Sequence, residues 1–141
     1  MITITKIFSF EMAHAIHNYV GACQNLHGHS YELHVTVTDS KSNDKPIEGL
    51  GIIIDFKDLK HVVNTAVIDL LDHRLVLSRD YLSSHPELNI PNNTFIWDYE
   101  PTAENILYFI KEAIKNNFPE NVKLVNLKLY ETKTSYAEWS A

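Results

Sequence analysis

Residues 27–37 read HGHSYELHVTV, and from Tyr31 onward every second side chain is aromatic or aliphatic. Side chains alternate across a β-strand, so this pattern predicts a strand with one buried face. His27 and His29 share the parity of that buried face. Their imidazoles therefore point to the same side and could bind one metal ion. Taken alone, the pair could instead be two exposed histidines on a surface strand that bind no metal.

A second predicted strand brings a third histidine to the same face. Residues 2–12 also alternate, and His14 has their apolar parity if the strand continues that far. Three neutral imidazoles would leave one position of a tetrahedral zinc ion open, as in catalytic zinc sites. His14, with Cys23 nearby, favours a metal site over surface decoration. Iron, copper and nickel also accept imidazole, so zinc is favoured and not required.

The far nitrogen of each metal-binding imidazole also needs a partner. Carboxylates or backbone carbonyls usually hold that nitrogen and so fix the orientation of the ring. Glu11 and Glu32 are close in sequence, but their strand parity directs both to the opposite face. These two carboxylates are therefore poor candidates for that task.

Cys23, the only cysteine, has three open readings. A thiol near a metal ion or a protonated imidazole can act as a base or a nucleophile. A lone cysteine can equally be buried and inert. Cys23 could also be a fourth metal ligand, which would make the site closed and structural.

Asp72-His73 follows the first predicted helix. A carboxylate can orient an imidazole, but consecutive residues of a helix or strand do not face each other. Direct pairing therefore needs a bend in the chain. Adjacency alone favours the alternative, in which a histidine is placed favourably at the end of a helix.

Glu131 lies at the end of a third alternating strand, residues 122–132, and shares the parity of its apolar residues. Burying an unpaired carboxylate is costly. Either the buried stripe ends at Leu129 and Glu131 is solvated, or Glu131 meets a bound polar group. The strand pattern does not choose between the two.

The composition limits the classes of protein. The chain has 141 residues, 45% hydrophobic and 21% charged, which predicts one soluble globular domain over residues 1–141. A formal net charge of −6 without a basic run argues against a nucleic-acid partner. No stretch has the roughly 18 apolar residues of a membrane span, and the start does not read as a signal peptide. One cysteine cannot form an internal disulfide, which indicates a cytoplasmic protein.

The order of the predicted elements indicates an α+β fold. Helices are predicted from Asp55 to about residue 71 and from Thr102 to about residue 115, and the first residue of each is a suitable N-cap. Residues 39–49 read as a loop, 51–54 as a short strand, and 74–100 are hard to assign apart from a short strand at 94–97. We expect an antiparallel four-stranded sheet with two helices on one face. Its open edges would need a subunit partner.

Six segments, in order along nearly the whole chain, resemble the family of 6-pyruvoyl-tetrahydropterin synthases and QueD-type 6-carboxy-tetrahydropterin synthases. They read FSFEMAH (8–14), CQNLHGHSY (23–31), GIIIDF (51–56), LDH (71–73), PTAEN (101–105) and YET (130–132). Each segment is weak alone, but six in family order are specific. The resemblance implies a tunnelling (T-) fold, in which trimers close a twelve-stranded barrel and two trimers stack as a homohexamer.

The resemblance also implies a role for each candidate residue. His14, His27 and His29 would bind Zn²⁺, and Cys23 would be the thiolate base. Asp72 and His73 would complete a proton relay from a neighbouring subunit, without needing to pair with each other. Glu131 would anchor the ring of a pterin substrate through its amino group and ring N–H.

The family contains more than one reaction. The compact loop 21–27 looks most like QueD-type members, which implies conversion of 7,8-dihydroneopterin triphosphate to 6-carboxy-5,6,7,8-tetrahydropterin on the route to queuosine. The alternatives are 6-pyruvoyl-tetrahydropterin synthesis, cleavage of the dihydroneopterin side chain, and a pterin-binding oligomer without turnover. Residues 74–100 depart from compact QueD-type members, and we expect this added segment to reshape the substrate mouth or a contact between subunits.

Overall fold

The computed structural model describes residues 1–41 and 45–141. Part of the predicted 39–49 loop, residues 42–44, therefore lies outside the described residues. The strands are β1 (Thr3–His14), β2 (His27–Asp39), β3 (Arg74–Ser78), β4 (Phe95–Trp97), β5 (Val122–Thr132) and β6 (Ser135–Ser140). The helices are α1 (Phe56–Val63), α2 (Asp69–Leu71), α3 (Arg79–Ser84) and α4 (Ala103–Ile114), with a π-helical turn at Asn64–Ile68 joining α1 to α2.

Within the described ranges, one six-stranded mixed sheet has the order β4-β3-β1-β2-β5-β6. β1, β2, β5 and β6 are antiparallel neighbours, whereas β3 runs parallel to β1 and β4 parallel to β3. The expected antiparallel four-stranded sheet was wrong, because the segment 74–100 adds two parallel strands at one edge. β4 lies within the short strand predicted at 94–97. β3 was not predicted, since its five residues are too few for alternation to identify it.

The expectation of two helices was also wrong, although both predicted helices exist. The first runs from Phe56 to Leu71 without a break, and its N-cap Asp55 accepts a hydrogen bond from the amide of Lys57 at 2.7 Å. Thr102 caps α4 in the same way through the amide of Asn105. The unpredicted helix α3 packs beside β3. None of the described helices is long and apolar enough to cross a membrane.

The strand predicted at 51–54 was wrong too, since these residues form bends and no strand. Ile53 and Ile54 are nevertheless buried, so this irregular segment contributes two side chains to the hydrophobic core. Gly51 has a φ of 74°, which directs the chain away from a strand just before the helix.

The core lies between the sheet and the helices α1 and α4, as the apolar parities predict. β1, β2 and β5 bury alternate side chains, and α4 buries residues three and four apart on one side. The largest side chains with less than 2% exposure include Phe10, Tyr31, Leu33, Ile106, Ile110, Ile114, Leu127 and Leu129. Burying each contributes roughly 1.5–3 kcal/mol of transfer free energy.

The register of the central strands brings distant residues together. β1 pairs with β2 so that His14 lies opposite His27 and Met12 opposite His29. β2 pairs with β5 with Glu32 opposite Tyr130, which brings Glu131 beside the same end of β2. One end of the sheet therefore holds the candidate site residues of these three strands, His14, His27, His29 and Glu131.

Candidate metal centre and adjoining cavity

His14, His27 and His29 form a compact cluster at this end of the sheet. One ring nitrogen from each lies within 4.8 Å of the other two, and His14 is 2% exposed. The Nε2 atoms of His14 and His27 are 3.1 Å apart. The predicted shared parity of the three histidines is confirmed, and their arrangement could hold a metal ion.

Two of the rings are oriented by backbone carbonyls, as expected for metal ligands. The Nδ1 of His14 donates to the carbonyl of Pro101 at 2.6 Å, and that of His27 to the carbonyl of Asn25 at 2.7 Å. Each Nε2 then presents its lone pair to the centre of the cluster. Burial lowers the pKa of His14, which favours the neutral form that a metal requires.

His29 supplies the strongest test of whether these residues fit a metal. Its Nε2 is buried and has no hydrogen-bond partner among the described residues. A buried polar atom without a partner is rare and costly in native proteins. A metal ion at the centre of the cluster would satisfy this nitrogen, so the residues fit the ion.

Glu131 lies against the cluster and is not a solvated residue at the end of a stripe. Its carboxylate oxygens are 3.8 Å from Nε2 of His29 and 4.0 Å from Nε2 of His14. The hydroxyl of Tyr31 donates to it at 3.4 Å. Burial and the charge of Glu131 raise the pKa of Tyr31, so the phenol keeps its proton. One quarter of the Glu131 side chain stays exposed, which leaves room for a ligand's donors.

Cys23 lies near the histidines without joining them. It sits in a short 3₁₀ turn, Ala22–Gln24, and is half-buried. In the described part of the chain the metal-binding cluster contains the three histidines and not Cys23. The geometry therefore argues against a closed four-ligand site.

A cavity of about 690 Å³ joins these groups. His14, Cys23 and Glu131 face it together, and its walls come from α4 and the hairpin of β5 and β6. Tyr19, Tyr108, Tyr136 and Trp139 add flat aromatic surfaces. Its volume and mixed lining suit a small, planar, polar molecule.

Asp72 and His73 lie outside this cavity. They are absent from the lining of the Cys23 cavity, and His73 lines a shallower depression with Glu11 and Ser30. Contrary to expectation, they pair with each other, since Asp72 Oδ1 is 3.0 Å from His73 Nδ1. The required bend exists because His73 adopts a left-handed φ of 59°.

The backbone of Glu11 holds this pair in place. Its amide donates to Asp72 Oδ1 at 2.9 Å, and its carbonyl accepts from the amide of His73 at 2.6 Å. The first of these bonds is the main reason why the pKa of Asp72 lies below its ordinary value. The carboxylate is therefore fixed, charged and paired with an imidazole that is 79% exposed.

Sequence reasoning missed several residues of the site. The carbonyls of Asn25 and Pro101 that orient the histidines have no side-chain signal, because a backbone carbonyl is common to all residue types. Tyr31 was assigned to the core by its parity. The Tyr31–Glu131 contact joins two strands. Predicting it requires knowing that β2 pairs with β5, and residue types do not specify that pairing.

Comparisons with known proteins identify the family of this chain. The model of the 6-pyruvoyl tetrahydropterin synthase family matches residues 3–141. The 6-carboxy-5,6,7,8-tetrahydropterin synthase of Haemophilus influenzae is 34% identical over 145 residues, covering 99% of each chain. The dihydroneopterin monophosphate aldolase of Pyrococcus furiosus is 35% identical over 123 residues, covering 87% of this chain and 83% of the relative.

A solved structure shows the same fold at lower identity. The 6-pyruvoyl tetrahydropterin synthase of Caenorhabditis elegans superposes with a TM-score of 0.64 at 21% identity, covering 99% of this chain and 95% of that one. The matched range and the nearly full-length relative at 34% identity settle the classification. The chain belongs to the 6-pyruvoyl tetrahydropterin synthase family.

Proposed function

We propose that this chain is a lyase that converts 7,8-dihydroneopterin triphosphate and one water molecule to 6-carboxy-5,6,7,8-tetrahydropterin, with loss of acetaldehyde and triphosphate. The observation that carries the proposal is the 34% identity, over 99% of both chains, to a protein named for this product. The joint placement of His14, Cys23 and Glu131 around one cavity supports it. The reaction would be a step of queuosine biosynthesis and would take place in the cytoplasm.

His14, His27 and His29 would hold a zinc ion through their Nε2 atoms. Three neutral ligands leave one coordination position for substrate, and zinc is the usual ion for such a set. When bound, the ion supplies a Lewis acid for the hydroxyl groups of the substrate side chain. The carbonyls of Pro101 and Asn25 keep His14 and His27 correctly oriented.

Within the cavity, Cys23 would transfer protons and Glu131 would bind the pterin ring. Cys23 would remove and return a proton at the substrate's side-chain carbon. Glu131 would accept hydrogen bonds from the amino group and ring N–H of the pterin, whose donors match a partly exposed carboxylate. Tyr31 donates to the same carboxylate and so would keep it aimed at the ring.

Asp72 and His73 would serve the site of a neighbouring subunit. They do not line the Cys23 cavity of their own chain, and the imidazole of His73 is mostly exposed. The sheet also ends in the edge strands β4 and β6, which a neighbouring chain could cover. We therefore propose a single T-fold domain over residues 1–141 that assembles as a homohexamer, a dimer of trimers.

A second candidate is an aldolase acting on a less phosphorylated dihydroneopterin. The observation in its favour is the 35% identity to the dihydroneopterin monophosphate aldolase of Pyrococcus furiosus. Both reactions break a bond of the pterin side chain and would use the same cavity. They differ in the phosphate groups that the substrate carries.

Rates with three substrates separate the two candidates. Zinc-loaded protein should act on dihydroneopterin triphosphate much faster than on the monophosphate or on dihydroneopterin. Equal rates, or a preference for the monophosphate, would replace the first candidate by the aldolase. Release of 6-pyruvoyl-tetrahydropterin as the sole product would instead indicate the sister synthase.

A further inference from the structure

The added segment 74–100 touches the loop that carries Cys23. Tyr81, on α3, is 4% exposed, and its hydroxyl donates a hydrogen bond to the backbone carbonyl of Gln24 at 3.1 Å. Gln24 directly follows Cys23 in the 3₁₀ turn. We infer that Tyr81 is a positioning residue, which fixes the turn so that the Cys23 thiol faces the cavity. This inference rests on the proposed role of Cys23.

Three successive carbonyls of this turn are each held by a different donor. The carbonyl of Cys23 accepts from the amide of Ile16 at 2.9 Å, that of Gln24 from Tyr81, and that of Asn25 from Nδ1 of His27 at 2.7 Å. Two of these donors lie in the chain immediately around the loop. The third donor, Tyr81, belongs to a distant segment.

The turn depends on such outside donors because it is short. Ala22–Gln24 is one turn of 3₁₀ helix, and its own bonds run from the amides of Gln24 and Asn25 at 3.2 and 3.1 Å. Hydrogen bonds in 3₁₀ helices have poor geometry, and short pieces are weakly stable alone. Removing the Tyr81 donor should therefore let the Cys23 side chain sample other positions.

Tyr81 is itself rigidly held. Its amide donates to the hydroxyl of Ser78, the cap of α3, and its ring stacks on His85 with centroids 4.2 Å apart. Its ring also packs in a small apolar cluster with Ala15 and Leu77, both fully buried. Ala15 follows the ligand His14, so this cluster links the added segment to the metal centre.

The competing explanation is that Tyr81 only fills space and that its hydroxyl uses the nearest acceptor. Tyr81→Phe separates the two explanations because it keeps the ring, its stacking and its packing. It removes only the donor to the Gln24 carbonyl. A space-filling role predicts unchanged turnover, whereas a positioning role predicts slower proton transfer at Cys23.

The experiment compares full-length, zinc-loaded wild type with Tyr81→Phe. We expect kcat to fall by about threefold to tenfold, the effect of one net hydrogen bond, with KM nearly unchanged. The alkylation rate of Cys23 by iodoacetamide should change by a similar factor, and it reports one site because the chain has one cysteine. Zinc content should stay constant. Tyr99→Phe is the matched control, since its half-exposed ring packs on Trp97.

Two results would overturn the inference. One is an unchanged kcat and alkylation rate in Tyr81→Phe. The other is a loss of thermal stability with an unchanged alkylation rate in the folded protein, which would make the role structural only. If the wild type does not turn over any dihydroneopterin phosphate, the proposed function fails, while the alkylation rates still decide whether Tyr81 fixes Cys23.

Discussion

At the scale of single residues, the Nε2 atom of His29 constrains the chemistry most. It is buried without a hydrogen-bond partner among the described residues, while His14 and His27 have their far nitrogens held by carbonyls. A group at the centre of this set that accepts three lone pairs would remove the cost of the unpaired nitrogen. A divalent metal ion is such a group.

Replacing one ligand should therefore remove the metal. His29→Ala is expected to lower the metal content from about one ion per chain to near zero, because two histidines bind far more weakly than three. Elemental analysis of the purified protein measures this. His34→Ala is the control, since His34 is on the same strand but pairs with Glu32 on the opposite face. Full metal content in His29→Ala would refute the assignment of this ligand.

Cys23 should behave in the opposite way. Cys23→Ala is expected to keep its metal and its oligomeric state but to lose turnover by about 10²–10⁴-fold, the usual contribution of a general acid or base. Steady-state kinetics and elemental analysis on the same preparation measure both. Loss of metal in this variant would make Cys23 a ligand and the site structural.

At the scale of secondary-structure elements, Asp72 joins the end of α2 to β1. The hydrogen bond from the amide of Glu11 holds the pKa of its carboxyl below the ordinary value of 3.8. A carboxylate with a lowered folded pKa stabilises the fold fully above the unfolded pKa. That stability is lost as the pH falls through the folded pKa.

Asp72→Asn should accordingly lower the free energy of unfolding by about 1 kcal/mol or less, since the carboxylate is partly exposed. The loss should be equal at about pH 7 and pH 5 and should shrink below about pH 3.8, where the wild-type carboxylate also takes up a proton. Urea unfolding across this range measures it, with the exposed Asp69→Asn as control. A difference that grows with falling pH would contradict this account.

The sequence was informative where an element is long and half-buried. Alternation and helical spacing predict β1, β2, β5 and both capped helices. Alternation also predicts that the three histidines share one face of the sheet. The short strand predicted at 94–97 contains β4. β3 and α3 were not predicted, because they are short and their conformation depends on contacts with neighbouring elements. Likewise, the Asp72–His73 contact depends on one left-handed residue, and residue types alone do not specify that φ.

At the scale of the whole molecule, the proposed groups lie in two places on one chain. His14, Cys23 and Glu131 share the cavity, while Asp72 and His73 pair outside it. A net charge of −6 also means that a triphosphate must be met by local positive groups. We propose that assembly of several chains brings the exposed His73 of one chain to the cavity of the next.

Mixing two inactive variants tests whether one active site uses residues of two subunits. Cys23→Ala and His73→Ala should each be nearly inactive alone. Unfolding and refolding them together should restore turnover well above either one, because some sites then combine Cys23 of one subunit with His73 of another. Refolding each variant by itself is the control. If the mixture stays as inactive as its components, the two residues do not act across subunits.

Product identification by mass spectrometry shows whether the protein carries out the proposed reaction. Zinc-loaded protein incubated with 7,8-dihydroneopterin triphosphate should release 6-carboxy-5,6,7,8-tetrahydropterin, acetaldehyde and triphosphate, and Cys23→Ala should release almost none. Unchanged substrate with the wild type, or a product that retains the full pterin side chain, would contradict the account.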